Sequence, residues 1–367
     1  MRNCWLRLVV FGAAAALTVV GLAAQRPAVW SADALDGGAR GLSRLHSLLV
    51  SHRGELIFER YYNGIRRERP ANIKSASKSV ISALVGIAID RKLIPSVNTP
   101  IVTYFPELAQ DPDRRKRNIT IEHLLTMRPG LEGTSNRNYG AWVTSRNWVR
   151  HALARPMFAA PGEEMEYSTG NTHLLSAILT KATRQSTWAF AQQQLGTPLG
   201  FTVSRWARDP QGIYFGGNDM LMTPRQMVAF GELYLNMGIG SREKGEGVQV
   251  VPAAWVQRSC DGRARNRRPG GPGFNANFND PLRDREYGFG WWVYEIRGYD
   301  TCFAWGYGGQ YIFVMPELDL VMVTTSSPDV SEERRGHRRA LFDVLDQFIV
   351  APVAANRPIS RPSRTSD

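Results

Sequence analysis

Ser75 and Lys78 are the two residues of this 367-residue chain whose types and spacing most directly suggest chemistry. They stand three residues apart at the start of an apolar stretch, and positions i and i+3 of a helix share one face. A serine hydroxyl becomes a useful nucleophile when a neighbouring base takes its proton, and a lysine can be that base when burial or positive potential lowers its pKa. A helix N-terminus supplies such potential and directs backbone N–H groups at a developing oxyanion. The spacing therefore predicts nucleophilic catalysis; the alternative is a structural helix start, with Ser75 or Ser77 as N-cap and Lys78 in solvent.

The elements that must position this pair show both strand and helix patterns. Apolar residues recur at helical spacing over residues 77–89, directly after Ser75. Two strand-like stretches, 48–51 and 56–62, flank a turn at 52–55 and predict a β-hairpin. Thr120 is the predicted N-cap of a short helix that reaches Met127. Further helices are predicted over 148–153, 172–183, 187–195, 225–237 and about 338–349, further strands over 288–296, 311–315 and 320–325, and a long loop over 261–286.

Strands at both ends of the chain, with helices between them, predict the architecture. We expect an α/β chain of the α+β kind, in which residues 42–62 and 288–350 form one antiparallel sheet. The first and last helices would pack on this sheet, and a helical part over about 75–285 would be inserted. Ligand clefts form where such layers meet.

Composition narrows the classes of function. Hydrophobic residues make up 43% of the chain and charged residues 21%, which is enough apolar material for a core. The net charge of +12 comes from scattered basic residues without interleaved aromatics, so no nucleic-acid partner is expected. No cysteine or histidine spacing matches a metal site, and no nucleotide-binding fingerprint is present, so we expect neither metal nor cofactor. His123 and His173 lie in predicted helices and are expected to be structural.

The N-terminus has the pattern of a targeting segment. Arg2 and Arg7 precede an apolar run over 8–24 that ends in small residues, which is typical of a secretory signal peptide over 1–24. A polar linker is predicted over 25–41. We expect a periplasmic or secreted protein; the alternative is an uncleaved segment that anchors the chain in the membrane. Cys260 and Cys302 would remain after cleavage, either as a disulfide or as two free thiols.

Several ordered motifs, including Ser75-Ala76-Ser77-Lys78, resemble a known family. S-x-x-K is the nucleophile motif of β-lactamases and penicillin-binding proteins, and the chain resembles the serine hydrolases of the class C β-lactamase type over residues 42–350. The last of the matching motifs, which we call the third motif, is Gly306-Tyr307-Gly308-Gly309-Gln310. This glycine-rich version looks most like the 6-aminohexanoate-dimer hydrolase and esterase branch. A disordered tail is predicted over 351–367. The matching stretches, in chain order, are 72–90, 119–131, 161–168, 216–224 and 306–317.

The resemblance assigns roles to residues that their types alone would not. It implies that Ser75 is the nucleophile and that Lys78 and Tyr167 handle its proton, with Tyr167 as the general base in acylation and as the group that activates water in deacylation. It also implies that the backbone N–H groups of Ser75 and Tyr307 form the oxyanion hole. A positive charge on Lys78 is expected to lower the pKa of the Tyr167 phenol. Thr169 stands where the family has asparagine, and Asn171 is the candidate to replace that amide. The implied substrate-binding residues are Trp305, Gly306, Gly309, Gln310 and Asn171.

The third motif departs from the family at one position that bears on the substrate. The family often has lysine or histidine where this chain has Ala304, so a partner for a substrate carboxylate is missing. We therefore expect small, uncharged esters or amides to be favoured, unless an arginine of the long loop replaces the lost cation. The candidates for that are Arg263, Arg265, Arg267 and Arg268. The alternative functions are a D-Ala-D-Ala peptidase, a β-lactamase, or a non-catalytic family member that binds cell-wall fragments. Contact with a membrane is expected only through the N-terminal segment.

Overall fold

An eight-stranded sheet organises the parts of the chain that the computed structural model describes, which are residues 29–240, 247–262, 264–265, 285–331 and 333–355. The strands are, in chain order, β1 (Leu45–His52), β2 (Glu55–Tyr61), β3 (Ala71–Asn72), β4 (Leu221–Met222), β5 (Ile239–Gly240), β6 (Val248–Gln249), β7 (Ala264–Arg265), β8 (Glu286–Tyr287), β9 (Trp292–Ile296), β10 (Tyr299–Gly306), β11 (Gln310–Met315) and β12 (Leu320–Ser326).

The large sheet joins the two ends of the chain. Its order is β2-β1-β12-β11-β10-β9-β8-β7, and the strands pair antiparallel throughout. The N-terminal strand β1 thus lies directly beside the C-terminal strand β12. Two small ladders, β3–β4 and β5–β6, lie apart from it.

Helices fill the sequence between the two halves of the sheet and follow its last strand. They are α1 (Ala32–Arg40), α2 (Ser77–Asp90), α3 (Ile121–Leu125), α4 (Tyr139–Val143), α5 (Trp148–Leu153), α6 (Thr169–Thr183), α7 (Thr187–Ala191), α8 (Pro224–Leu235), α9 (Ala253–Ser259), α10 (Arg334–Val344) and α11 (Ala351–Ala355). Shorter or wider helical turns occupy Lys74–Ala76, Ile101–Thr103, Pro106–Gln110, Arg114–Asn118, Asn136–Asn138, Gln192–Gly196, Pro316–Leu318 and Leu345–Val350. None of the helices in the described ranges is long and apolar enough to cross a membrane.

Both faces of the sheet are covered, and its central strands are therefore buried on both sides. Helix α8 packs on β11 and β12, where a Cβ on Gly231 would come within 2.6 Å of Val321. On the opposite face α1 and α10 pack over the aromatic side chains of β10 and β11, and Phe313 contacts Phe342 at a ring-centroid distance of 5.2 Å. Every residue of β11 and β12 is buried, so the site at the end of β10 rests on a rigid layer.

Cys260 and Cys302 form a disulfide in the structure rather than two free thiols. Cys260 follows α9 and Cys302 lies in β10, and their Cα atoms are 5.4 Å apart. The bond ties the helical part to the strand that leads to the glycine-rich motif.

The antiparallel sheet with an inserted helical part confirms the predicted fold class. The hairpin, the helix after Ser75, the Thr120 cap and helix 148–153 also form as predicted. Thr120 and His123 form a reciprocal capping box, which gives this histidine the structural role expected of it.

Two predictions about the ends of the domain are wrong. Residues Ala32–Arg40 of the expected linker form α1, because Ser31 caps it and Leu35 and Ala39 bury one face. The two glycines in this stretch concealed the helix, and Gly38 lies where a Cβ would come within 2.8 Å of the Phe348 ring. At the other end Ala351–Ala355 is helical rather than disordered. The proposed signal segment 1–24 and residues 356–367 lie outside the described residues.

The sheet also has more strands than the five predicted. Strand β10 was missed because its residues are mostly buried on both faces and do not alternate. It pairs with β9 through the two-residue turn Arg297–Gly298, in which both residues have positive φ, as a tight hairpin turn requires. Short strands β7 and β8 occupy two stretches of the expected loop 261–286; residues 263 and 266–284 of that loop lie outside the described residues.

Candidate active site

The backbone before α2 presents Ser75 to a cavity and buries the neighbouring Ser77. Lys74–Ala76 is a 3-10 turn, and α2 begins only at Ser77. Ser77 is fully buried, where its hydroxyl donates to the Lys74 carbonyl at 2.5 Å and accepts from the Met220 N–H at 3.1 Å. No side chain caps α2, so the alternative of a serine N-cap is wrong.

Lys78 is 1% exposed, which also rules out the solvated surface lysine. Its amine lies 3.1 Å from the Ser75 hydroxyl and 3.3 Å from the Thr169 hydroxyl, and it donates to the Gly217 carbonyl at 2.6 Å. Burial lowers the pKa of Lys78 to about 7, against the opposing effect of the Asp219 carboxylate. A neutral amine can keep its N–H on the Gly217 carbonyl, which can only accept, and offer its lone pair to the Ser75 hydroxyl.

Tyr167 lies beside both groups, but the prediction that its pKa is lowered is wrong. The Lys78 amine lies 4.9 Å from the centre of the phenol ring, and the Tyr167 hydroxyl shares a hydrogen bond with Ser75. Burial raises the pKa of Tyr167 to about 12, although Ser75 and the charge of Arg285 both act to lower it. The expected lowering fails because desolvation of the buried phenol outweighs the nearby groups that act to lower its pKa. Lys78, rather than Tyr167, is the group poised to accept a proton.

Thr169 itself occupies the position where the family amide would be expected, and Asn171 does not reach the site. The Thr169 hydroxyl contacts both Lys78 and Ser135, the latter at 2.9 Å. Asn171 is buried and directs its amide to the Met127 sulfur at 3.6 Å. Both residues lie in α6, and two helical steps turn a side chain by about 200°, so Asn171 faces away from Thr169. Its assignment as a substrate-binding residue is therefore wrong.

Strand β10 brings the glycine-rich motif against the segment that carries Ser75. A Cβ on Gly306 would lie 2.1 Å from the Ile73 carbonyl oxygen, so only glycine allows this approach. Trp305 and the 40%-exposed Tyr307 flank it and line the cavity.

Gly309 and Gln310 shape the turn after β10 and are not among the described residues that line the cavity. Gly309 has φ of 112°, a conformation that favours glycine. The Gln310 amide donates to the Ser326 carbonyl at 2.6 Å and accepts from the Ser326 N–H at 3.1 Å. The Gln310 amide also donates to the Tyr307 carbonyl at 3.4 Å, so this side chain fixes the turn behind the cavity.

The cavity in front of Ser75 has a volume of about 660 Å³, which suits a small organic molecule. One wall is aromatic: Tyr167 stacks on Trp292 with ring centroids 5.5 Å apart, and Trp292 meets Trp305 at 5.9 Å. In the part of the chain that the structure describes, no group of three His, Cys, Asp or Glu side chains could hold a metal ion. The arrangement is a serine with a buried base, a phenol and a closely approaching strand.

A sequence model of the beta-lactamase family matches residues 32–346. The chain belongs to this family. It is a serine hydrolase with the β-lactamase and transpeptidase type of fold. A comparison with curated protein sequences gives no match.

Solved structures share the fold of this family member at low sequence identity. A Bacillus anthracis protein whose name provisionally assigns it as a 6-aminohexanoate-dimer hydrolase is 21% identical, with a TM-score of 0.61 over 85% of this chain and 80% of that one. The octameric penicillin-binding protein homologue from Pyrococcus abyssi is 17% identical, with a TM-score of 0.60 over 84% and 76%. EstCE1, a hydrolase with promiscuous acyltransferase activity, is 16% identical, with a TM-score of 0.64 over 85% and 97%.

Arg285 is one of the cavity residues of this hydrolase that sequence reasoning missed. Its guanidinium carbon lies 4.7 Å from the ring centre of Trp292 and 5.5 Å from that of Trp305. The four arginines named as candidates lie elsewhere in the same loop: Arg263, Arg267 and Arg268 and the side chain of Arg265 are outside the described residues. One feature of the sequence could have pointed to Arg285: it directly precedes Glu286 and Tyr287, the two residues that form β8.

The second histidine expected to be structural is fully buried away from the cavity. His173 lies with its Nε2 atom 3.0 Å from an Asp209 carboxylate oxygen, and its Nδ1 atom accepts from the Gly216 N–H at 3.4 Å. This pair lies behind the segment whose Gly217 carbonyl binds Lys78. It supports the site without entering it, which confirms the prediction for His173.

Proposed function

We propose that this chain is an exported serine hydrolase that forms an acyl-enzyme on small ester or amide substrates. The observation that carries the proposal is the contact of the Ser75 hydroxyl with a buried Lys78 amine whose pKa is about 7. At that pKa a substantial fraction of the amine is neutral at physiological pH and can accept the serine proton. A non-catalytic binding protein would have no use for this arrangement.

Acylation begins with attack of the Ser75 oxygen on the substrate carbonyl while Lys78 takes the hydroxyl proton. The backbone N–H groups of Ser75 and Tyr307 are assigned to the developing oxyanion, and the close approach of β10 at Gly306 supports this placement. Tyr167, protonated because of its raised pKa, then donates its proton to the departing oxygen or nitrogen and is reprotonated from Lys78. In deacylation a water molecule attacks the acyl carbonyl while Lys78 takes its proton. The protonated amine then returns a proton to the Ser75 oxygen as the bond to the acyl group breaks and the acid product leaves.

Export is supported by two independent features. Residues 1–24 have the composition of a signal peptide. The Cys260–Cys302 disulfide belongs to a class of bond that persists in oxidising compartments such as the periplasm or the exterior of the cell. Mature protein from the native host should begin near Ala24 or Gln25, and N-terminal sequencing of the extracytoplasmic fraction tests this. A chain that still begins at Met1 would favour the anchored alternative.

A fluorophosphonate probe tests the catalytic proposal directly. We expect one covalent adduct per chain, on the peptide that contains Ser75, and loss of both labelling and 4-nitrophenyl acetate hydrolysis in Ser75→Ala. Ser135→Ala is the matched control, because Ser135 also lines the cavity but contacts Thr169 rather than Lys78; it should keep the adduct. Labelling that persists in Ser75→Ala would overturn the assignment.

A further inference from the structure

We infer that His337 is a positioning residue for the oxyanion hole, and that it acts through Ser326 on the turn that carries the Tyr307 N–H. His337 lies near the start of α10 and is not among the described residues that line the cavity. The inference deepens the proposed function and rests on it for the role of the Tyr307 N–H.

The turn over residues 306–310 joins β10 to β11 and has the cavity on one side and packed side chains on the other. Tyr307 lines the cavity. Behind it, a Cβ on Gly309 would lie 2.8 Å from the Ser326 hydroxyl oxygen and 3.0 Å from the His337 Nε2 atom. Both side chains therefore lie directly against the backbone of this turn.

His337 and Ser326 form a chain of hydrogen bonds that ends on the turn. The His337 Nε2 atom lies 2.8 Å from the Ser326 hydroxyl oxygen, and that hydroxyl donates to the Gly309 carbonyl at 3.3 Å. The Thr324 hydroxyl donates to the same carbonyl at 2.9 Å. A serine has one hydroxyl proton, so Ser326 can donate to Gly309 only when the His337 Nε2 atom carries a proton and donates to the serine oxygen. The Nε2–H tautomer of His337 thus directs the Ser326 hydroxyl at the turn.

The surroundings of His337 keep its ring neutral. The residue is 5% exposed, and burial, the Arg44 guanidinium and His46 lower its pKa to about 4. A neutral imidazole has a single N–H, which is costly to bury without an acceptor. Ser326 supplies that acceptor. At the pH at which Lys78 accepts a proton, His337 is therefore a fixed hydrogen-bond donor rather than a proton-transfer group.

A support behind an oxyanion donor acts on the rate of reaction more than on substrate binding. A backbone N–H stabilises the transition state only when it points at the position where the negative charge develops. The hydrogen bonds on the Gly309 carbonyl fix the orientation of one peptide of the turn, and the Tyr307 N–H belongs to the same turn. Loss of the His337 donor should therefore lower kcat and leave KM nearly unchanged.

Two substitutions of His337 distinguish a hydrogen-bond donor from a packing residue in the hydrolysis of 4-nitrophenyl acetate. His337→Leu should lower kcat by about ten- to a hundredfold, which is part of the loss caused by removal of a whole oxyanion donor, with KM within about threefold. His337→Gln should restore most of kcat, because its amide N–H can donate to the Ser326 oxygen in place of the imidazole N–H. A kcat of His337→Gln as low as that of His337→Leu would overturn the inference.

His46→Leu is the matched control. It makes the same change at the histidine that acts on the pKa of His337, and it leaves the bond between His337 and Ser326 in place. It should leave kcat within about twofold of the unaltered protein, since one lost surface contact changes little else. A loss as large as that of His337→Leu would contradict a specific role for His337.

Ser326→Ala interrupts the same chain of hydrogen bonds and removes a single oxygen atom. It should lower kcat by a factor similar to that of His337→Leu. The double variant should lose no more than the larger single loss, because both changes break one path to the Gly309 carbonyl. Losses that multiply in the double variant would show that the two residues act separately and would overturn the inference.

Hydrogen exchange of the turn separates this inference from the proposed function. In the full chain without substrate, the peptide that contains residues 306–310 should exchange its amide hydrogens about fivefold faster in His337→Leu, while peptides of α6 exchange as before. Equal exchange of the turn in the two proteins would overturn the inference, whatever the activity. Failure of the fluorophosphonate to label Ser75 would overturn the hydrolase mechanism, whereas faster exchange would still support the hold of His337 on the turn.

Discussion

Replacing Lys78 by methionine should stabilise the fold while it abolishes activity. The drop of the Lys78 pKa from 10.5 to about 7 means that burial of the charged amine costs roughly 5 kcal/mol when both folded and unfolded chains are protonated. Methionine has a similar length and no charge to bury. Loss of the hydrogen bond to the Gly217 carbonyl offsets part of the gain, by about 1–3 kcal/mol, at every pH.

The dependence on pH is the decisive part of this prediction. Between pH 7 and 10.5 the unfolded chain binds the Lys78 proton and the folded chain does not, so the stability of the unaltered protein rises with pH across that window. The advantage of Lys78→Met should therefore shrink by about 2–3 kcal/mol between pH 6.5 and pH 9. Urea unfolding of both proteins at the two pH values measures it.

Lys92→Met provides the control for that measurement, because it makes the same substitution at an exposed lysine and removes no buried amine. In the unaltered enzyme kcat/KM should also rise through about pH 7 as Lys78 becomes neutral. A stability difference between Lys78→Met and the unaltered protein that stays constant from pH 6.5 to 9 would refute the reasoning that burial neutralises this lysine.

Three further changes test the phenol, the strand and the disulfide. Tyr167→Phe should reduce kcat for 4-nitrophenyl acetate at least about a hundredfold without changing the melting temperature; near-normal turnover would remove Tyr167 from proton transfer. Gly306→Ala should lower kcat strongly, because the new Cβ would lie 2.1 Å from a backbone carbonyl oxygen. Gly41→Ala is the control, since Gly41 has open space around it and its replacement should leave kcat unchanged. Equal activities of the two variants would contradict the close approach of β10. Replacing Cys260 and Cys302 by alanine removes a cross-link between residues 42 positions apart and should lower the free energy of unfolding by about 4 kcal/mol, as measured by urea unfolding. An unchanged urea midpoint would argue against the bond.

Patterns of neighbouring residues predicted the helices and turns that are stabilised mainly by interactions within one short segment. Helix α2 has an apolar face that repeats along the sequence, and the hairpin around Gly54 carries its turn in adjacent residues. Ser75 and Lys78 could be paired because three residues on a helical turn fix their separation. These features need no knowledge of the rest of the chain.

The features that could not be predicted from the sequence depend on contacts between residues that are far apart along the chain. The pKa of Tyr167 is set by burial, which residue type and spacing do not encode. Strand β10 is recognisable only once both of its faces are known to be covered. Arg285 lies 210 positions after Ser75, and only the folding of its loop beside Trp292 brings it to the cavity.

The pairing of β1 with β12 has a consequence for biosynthesis. The seven register pairs that join these strands connect residues near 50 with residues near 320, so β1 leaves the ribosome long before its partner emerges. Until then the N-terminal hairpin has an unsatisfied edge, and such long-range pairing folds slowly. The β1–β12 pairing that completes the sheet therefore cannot form until β12 has been synthesised. For the same reason a nascent chain that stops before Leu320 should yield an aggregating fragment rather than a smaller enzyme.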